Sequence, residues 1–172
     1  MIKLLLISIL STGSVFSFGQ GAESFYNLKA KTIDGKEFDF SSLKGKLNWP
    51  VRSAKVVRKF GENRNSKLNT VTLNYGIDMK VSGDKNVKAV AEGVVSVIDW
   101  IPGYGSVVII THKGDYRTVY SHLTDIAVRE GDRVKSGSQI GKVDESLEGN
   151  ILHFEIWNSR DHQDPLAWLA PK

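Results

Sequence analysis

Ile151-Leu152-His153-Phe154-Glu155-Ile156-Trp157 sets how the rest of this chain must be folded. Leu152, Phe154 and Ile156 alternate with His153 and Glu155, which is the two-residue period of a β-strand with one buried face. The opposite face then carries Ile151, His153 and Glu155 together. A metal-capable imidazole thus sits inside a strand that otherwise reads as core.

Working outward, the same kind of run recurs at Val71 to Leu73, Ile77 to Met79, Val87 to Ala91, Val94 to Ile98, Val107 to Thr111, Arg117 to Tyr120 and Gln139 to Val143. Glycines such as Gly76, Gly93, Gly105, Gly131 and Gly141 punctuate them, and no amphipathic helix of useful length interrupts. Many short strands separated by Gly turns predict an all-β fold, a two-sheet sandwich or open barrel. A weak internal repeat supports this. Gly83 to Lys88 followed by Ala91 to Val95 is echoed, one residue shorter, by Gly131 to Lys135 followed by Gln139 to Val143. Each copy is a Gly-Asp turn, a strand, a second turn and another strand, a duplicated β-hammerhead-like motif. Biotinyl and lipoyl carriers use such a motif to display a lysine at a hairpin tip, and neither copy offers one, so the repeat reads as scaffold.

With 172 residues the chain is long enough for one domain with a substantial core. A formal charge of +4 is too mild and too spread to argue nucleic-acid binding, and suits a polyanionic cell-surface setting. Cysteine is absent, which removes disulfides and every thiol mechanism. Lys3, the apolar run Leu4 to Leu10 and the small residues Ser11 to Gly19 have the plan of a secretory signal over 1–19, too short to span a bilayer. Residues 20–46 read as an N-terminal hairpin or linker turning at Asp34-Gly35, and residues 25–46 resemble the opening strands of glutathione peroxidase-type proteins. From 47 the main domain begins, with Leu47 to Val51 as an extended entry strand, Val56 to Gly61 as a second short strand and Glu62 to Thr70 as a polar loop.

Four histidines limit the chemistry. His112 precedes a Lys-Gly turn and His162 sits in a polar run, so both read as surface residues. His122 closes the strand ending at Tyr120 and is placed for proton transfer. Asp78 stands between Ile77 and Met79, where a carboxylate needs a cation, a metal or several donors.

Residues 47–169 resemble the LytM or lysostaphin-type zinc metallopeptidase domain that cuts peptidoglycan cross-bridges. The matching landmarks are Trp49-Pro50-Val51, Phe60-Gly61, Gly76-Ile77-Asp78, Ala89 to Val95, Tyr120-Ser121-His122-Leu123, Val128 to Gly141 and Leu152 to Ile156. The resemblance implies two zinc ligands at 74 and 78, a third at 153, and catalytic histidines at 122 and 151. Asp78, His153 and His122 match. Asn74 and Ile151 do not, because a carboxamide is a poor zinc donor and isoleucine can neither move a proton nor orient a water. Kept scaffold with lost ligands is similar to the degenerate LytM domains of murein hydrolase activators of the EnvC and NlpD type, most of all EnvC.

That resemblance implies a non-catalytic periplasmic or secreted factor without a zinc cofactor. It would activate a periplasmic N-acetylmuramoyl-L-alanine amidase at peptidoglycan through a partner groove of Asn74, Asp78, Tyr120, His122, Ile151 and His153. The alternatives are a zinc endopeptidase working through Asp78, His153 and His122, and a structural peptidoglycan-binding pseudoenzyme.

Overall fold

The computed structural model describes residues 39–66, 69–146 and 149–171. The expected signal and most of the expected N-terminal hairpin lie outside these residues. The described chain is almost entirely β: β1 (Ala54–Arg58), β2 (Gly61–Asn65), β3 (Thr70–Asn74), β4 (Ile77–Val81), β5 (Asn86–Lys88), β6 (Gly93–Ile101), β7 (Gly105–Thr111), β8 (Tyr116–Thr124), β9 (Arg133–Val134), β10 (Gln139–Val143), β11 (Glu145–Ser146), β12 (Gly149–Asn158) and β13 (Asp161–Gln163), with short 3-10 turns at Phe40–Leu43 and Pro165–Ala167. The backbone of one large sheet runs β1-β4-β12-β8-β7-β6-β9, with β10 joining β8 to β5 and with β11 and β13 on β12. The sheet does not close into a barrel. β2 and β3 form a separate two-stranded sheet.

β12 is central because its alternation fits the pleat. Leu152, Phe154 and Ile156 are fully buried and meet Ile77 and Met79 of β4 and Tyr120 of β8 on the core face. Phe154 and Tyr120 lie with ring centroids 5.2 Å apart. Close packing of β4 on β12 requires Gly76: a Cβ there would overlap the Phe154 carbonyl oxygen.

The repeat folds as a crossed pair. The first strand of the first copy, β5, pairs with the second strand of the second copy, β10, setting Val87 opposite Gly141. The first strand of the second copy, β9, pairs with β6, setting Val134 opposite Gly93. Each valine is buried against a glycine of the other copy, so neither copy could complete its pairing alone.

Several local expectations are corrected. The segment Leu47 to Val51 is no strand: Leu47 makes one parallel bridge to Leu169, and Trp49 Nε1 donates to the Ala170 carbonyl at 2.9 Å. It laces the domain to the chain's end. The expected loop over 62–70 contains most of β2 and its turn into β3, the strand expected at Val71 to Leu73; the hairpin is held by its backbone ladder and by Asn63 Nδ2, donating to the carbonyls of Lys59 (2.7 Å) and Gly61 (3.0 Å), rather than by burial. Hydrophobic periodicity was therefore silent over β2. Phe40, expected near the end of a hairpin strand, opens a 3-10 turn capped by Asp39 and is fully buried between His112, Tyr116 and Trp168. Residues 39–46 are thus packed as part of the main fold.

His112 is likewise no surface residue. It is 6% exposed, with Nδ1 2.6 Å from the Glu92 carbonyl and Nε2 2.8 Å from Thr118 Oγ1. Burial pushes its pKa down to about 4, only partly opposed by the Glu92 hydrogen bond.

Candidate functional site

Sheet register assembles the site. Arg58 on β1 is opposite Asp78 on β4, Asp78 is opposite His153 on β12, and His153 is opposite Ser121 on β8, so these residues form one transverse row. Arg58 reaches its place through a β-bulge between Val56 and Arg58, where two residues of β1 oppose one of β4. Without it Val57 would stand against Asp78.

The row is closed by its own polar contacts. Arg58 Nε is 2.5 Å from Asp78 Oδ2, and His153 Nδ1 is 2.5 Å from Asp78 Oδ1. His153 Nε2 is 2.7 Å from Glu155 Oε1, and Trp157 Nε1 donates to Glu155 Oε2 at 2.6 Å. His162, half-buried rather than on the surface, stacks on Tyr75 with centroids 4.4 Å apart, meets Trp157 edge-on, and approaches Glu155 Oε2 to 3.7 Å. Positive and negative groups alternate along this line, which is how buried charges are tolerated.

Electrostatics follow from the geometry. Burial favours the neutral form of His153, but hydrogen bonds to Asp78 and Glu155 outweigh it and push its pKa up to about 9. Burial likewise drives the Asp78 and Glu155 carboxyls upward, and the His153 imidazolium overcomes it, holding both below their ordinary values with help from Arg58 and Trp157 respectively. At neutral pH His153 is therefore a cation that donates from both ring nitrogens.

Tyr104, in the β6–β7 turn, covers the row from above, its ring 5.8 Å from that of His153 and 6.3 Å from that of His122. Burial, then the nearby Glu155 and Asp78 charges, raises its pKa, so the phenol stays neutral. His122 does not end a strand as expected. It lies inside β8 in the left-handed region, φ 61°, pinned by its N–H donating to the Tyr104 carbonyl at 2.7 Å and its carbonyl accepting from Asp144 N at 2.8 Å. A non-glycine residue held there by its surroundings is a mark of local constraint.

The expected groove residues separate. Asp78 and His153 are in direct contact, and His122 joins them through Tyr104. Ile151 lies on the same face one step along β12, opposite Lys80, and is 8% exposed. Asn74 ends β3, its Oδ1 accepting from Gly76 N at 3.4 Å while its buried Nδ2 has no hydrogen-bond partner. Tyr120 is a correction: it points to the core, 0% exposed, with its hydroxyl accepting from Val90 N at 3.1 Å. Adjacent strand residues point to opposite faces, so Tyr120 could not share a face with Ser121's row. Sequence reasoning missed Arg58, Trp157, Tyr75 and Tyr104, and gave Glu155 no role. Glu155 and Trp157 could have been found by following His153 in steps of two.

A catalytic zinc needs about three good donors and an open position for water. The residues at the resembled ligand positions do not fit it. The carboxylate is paired with the Arg58 guanidinium, the imidazole nitrogens are engaged by Asp78 and Glu155, and the remaining member is a neutral carboxamide, a poor zinc donor. Among the described residues no group of three or more His, Cys, Asp or Glu side chains is arranged to hold a metal.

Fold and site together define an all-β metallopeptidase-like domain in which two of the ligand positions, Asp78 and His153, are paired with each other. The profile of Peptidase family M23 matches residues 72–165, more than half of the chain, and the chain belongs to that family. It is 33% identical over 126 residues to the murein hydrolase activator NlpD of Salmonella dublin, covering 72% of this chain and 31% of that protein. It is 33% identical over 143 residues to the murein hydrolase activator EnvC of Escherichia coli (strain K12), covering 81% of this chain and 33% of that one. The chain thus spans about a third of the length of these relatives. Among solved structures it resembles a chain of the SpoIIIAH and SpoIIQ complex at TM-score 0.61 and 32% identity, covering 70% of this chain and 98% of that one. A zinc-containing peptidase from Vibrio cholerae aligns at TM-score 0.63 and 26% identity, covering 81% of this chain and 46% of that one. The family match begins at residue 72 and lends nothing to the peroxidase likeness of residues 25–46. No helix among the described residues is long and apolar enough to cross a membrane.

Proposed function

We propose that this chain is a non-catalytic M23-type factor, exported by its residues 1–19, that stimulates a periplasmic N-acetylmuramoyl-L-alanine amidase acting on peptidoglycan. The groove around Asn74, Asp78, His122, Ile151 and His153 would engage the amidase, with Tyr104 and Tyr75 at its rim. One observation carries this reading: the Arg58-Asp78-His153-Glu155 row uses up the very side chains a hydrolase would offer to zinc. A guanidinium on the carboxylate makes the row stable as it stands, which suits a binding surface and not an activated water. Two relatives with the name murein hydrolase activator support it.

The test is a dye-release assay on purified sacculi, run with the protein alone, with a zinc amidase alone and with both, beside metal analysis of the purified protein. The expected result is no release by the protein alone and a marked gain when it is added to the amidase. One zinc per chain together with chelator-sensitive release by the protein alone would instead establish a peptidase. Sacculus binding with no effect on any amidase would leave a structural wall-binding role.

A further inference from the structure

Beside the charged row lies a second feature that the groove reading does not use. Arg52 and Ser53, Ala54 and Lys55 of β1, Lys80 and Val81 of β4, and Ser82 line a shallow, open hollow at the edge of the large sheet. Lys55 and Lys80 are directly opposite one another across the antiparallel pair, so their side chains share a face. Like charges in that relation destabilise a sheet, and here they are exposed with Arg52 nearby. None of the three has an acidic partner among the described residues. The neighbouring carboxylates are committed elsewhere: Asp78 to Arg58 and His153, Asp84 to the Asn86 N–H at 3.0 Å, and Glu145 to Lys85 at 3.4 Å.

The hollow adjoins the charged row. Lys80 follows Asp78 by two residues, on the same face and about 7 Å further along the strand. It also stands opposite Ile151 on β12, and its stem passes over Gly149, whose Cβ position would be 3.8 Å from Lys80 Cε. Past Ile151 the Asp78-His153 row is thus followed by three cations, none paired with a carboxylate among the described residues, and by Ser53 and Ser82. The three cations are complementary in charge to carboxylates.

We propose that this hollow is a carboxylate-binding site that takes an acidic peptide segment of the protein partner proposed above to dock on the adjoining row. The inference rests on the partner-binding reading above and adds the chemistry of the contact. Arg52, Lys55 and Lys80 supply the attraction, and the cost of setting Lys55 against Lys80 is relieved when carboxylates lie between them. Binding is consequently weakened by salt, because the cations are exposed.

The probe is a fluorescein-labelled hexaglutamate peptide, compared with hexaglutamine and with tripolyphosphate, titrated into the full chain. Hexaglutamate binds and hexaglutamine does not; the double variant K55Q/K80Q, whose two side chains are both exposed, loses about tenfold in affinity. The same variant needs about tenfold more protein to stimulate the amidase. Undiminished hexaglutamate binding by K55Q/K80Q, or tighter binding of tripolyphosphate than of hexaglutamate, overturns the assignment, the latter in favour of a phosphate polymer. If wild type stimulates the amidase and K55Q/K80Q does so equally well, the carboxylate site falls and the groove reading stands. If wild type stimulates no amidase yet binds hexaglutamate through these lysines, the groove reading falls and the carboxylate chemistry stands.

Discussion

Two buried histidines with oppositely displaced pKa values give this domain a stability optimum in a narrow pH range. His153 is raised to about 9 by Asp78 and Glu155, so the folded chain holds its proton more tightly than the unfolded chain, whose histidines titrate near 6.5. Its contribution is complete below about 6.5 and is lost as pH rises through about 9. His112 is lowered to about 4 by burial, so its neutral form is favoured in the fold; stability declines as pH falls below about 6.5 and the decline ends near 4. Each displacement spans roughly 2.5 units, or about 3 kcal/mol at 1.36 kcal/mol per unit. Below about 4 the lowered carboxyls of Asp78 and Glu155 take over, since their stabilisation is present above the ordinary carboxylate range and lost on protonation. Urea unfolding at half-unit steps from pH 4 to 10 should give a dome centred near 6.5. His112→Gln flattens the acid side and His153→Asn the alkaline side. Should His153→Asn not fold, the imidazole resonances of the wild-type chain report the same quantity: one histidine titrating near 9 and one near 4. Titration of both near 6.5, or a flat profile over this range, would refute the account of the Asp78-His153-Glu155 row.

Other outcomes follow from particular contacts. Gly76→Ala places a methyl into the Phe154 carbonyl and should cost about 3 kcal/mol or more, read as loss of soluble protein or a large drop in Tm. Asn74→His with Ile151→His restores the resembled ligand and base positions, yet Arg58 still holds Asp78; zinc uptake measured by mass spectrometry should rise substantially only when Arg58→Ala is added. Uptake by the double variant alone would show that the guanidinium does not compete with metal. Arg58→Ala by itself should lower stability by only about 1 kcal/mol in thermal unfolding, because the Arg58 side chain is 48% exposed and solvent screens the pair.

Much of the scaffold was legible in the sequence because burial leaves a period. β4, β6, β7, β8, β10 and β12 all announce themselves through apolar alternation or apolar runs, and the two Gly-Asp repeats foretold matching strand pairs. What periodicity does not encode is pairing between distant strands. Nothing local in Gly83 to Val95 shows that its strands complete those of the other copy rather than each other. In the β2–β3 hairpin, β3 showed through Val71 to Leu73, whereas β2 is polar and solvated, held by backbone hydrogen bonds, and left no hydrophobic trace.

For the site, the identities at Asn74, Asp78, His122, Ile151 and His153 were fixed by sequence, and the mismatch at 74 and 151 was visible from residue chemistry alone. Only the tertiary structure decided what Asp78 and His153 do instead. A bulge in β1 brings Arg58 across to Asp78, register sets His153 between two carboxylates, and the resulting alternation of charge makes the imidazole a cation. It also turned Tyr120 inward and drew His162 and Tyr104 onto the row. Those outcomes depend on which strands lie side by side and in what register, a consequence of packing the whole sheet that no stretch of residues states on its own.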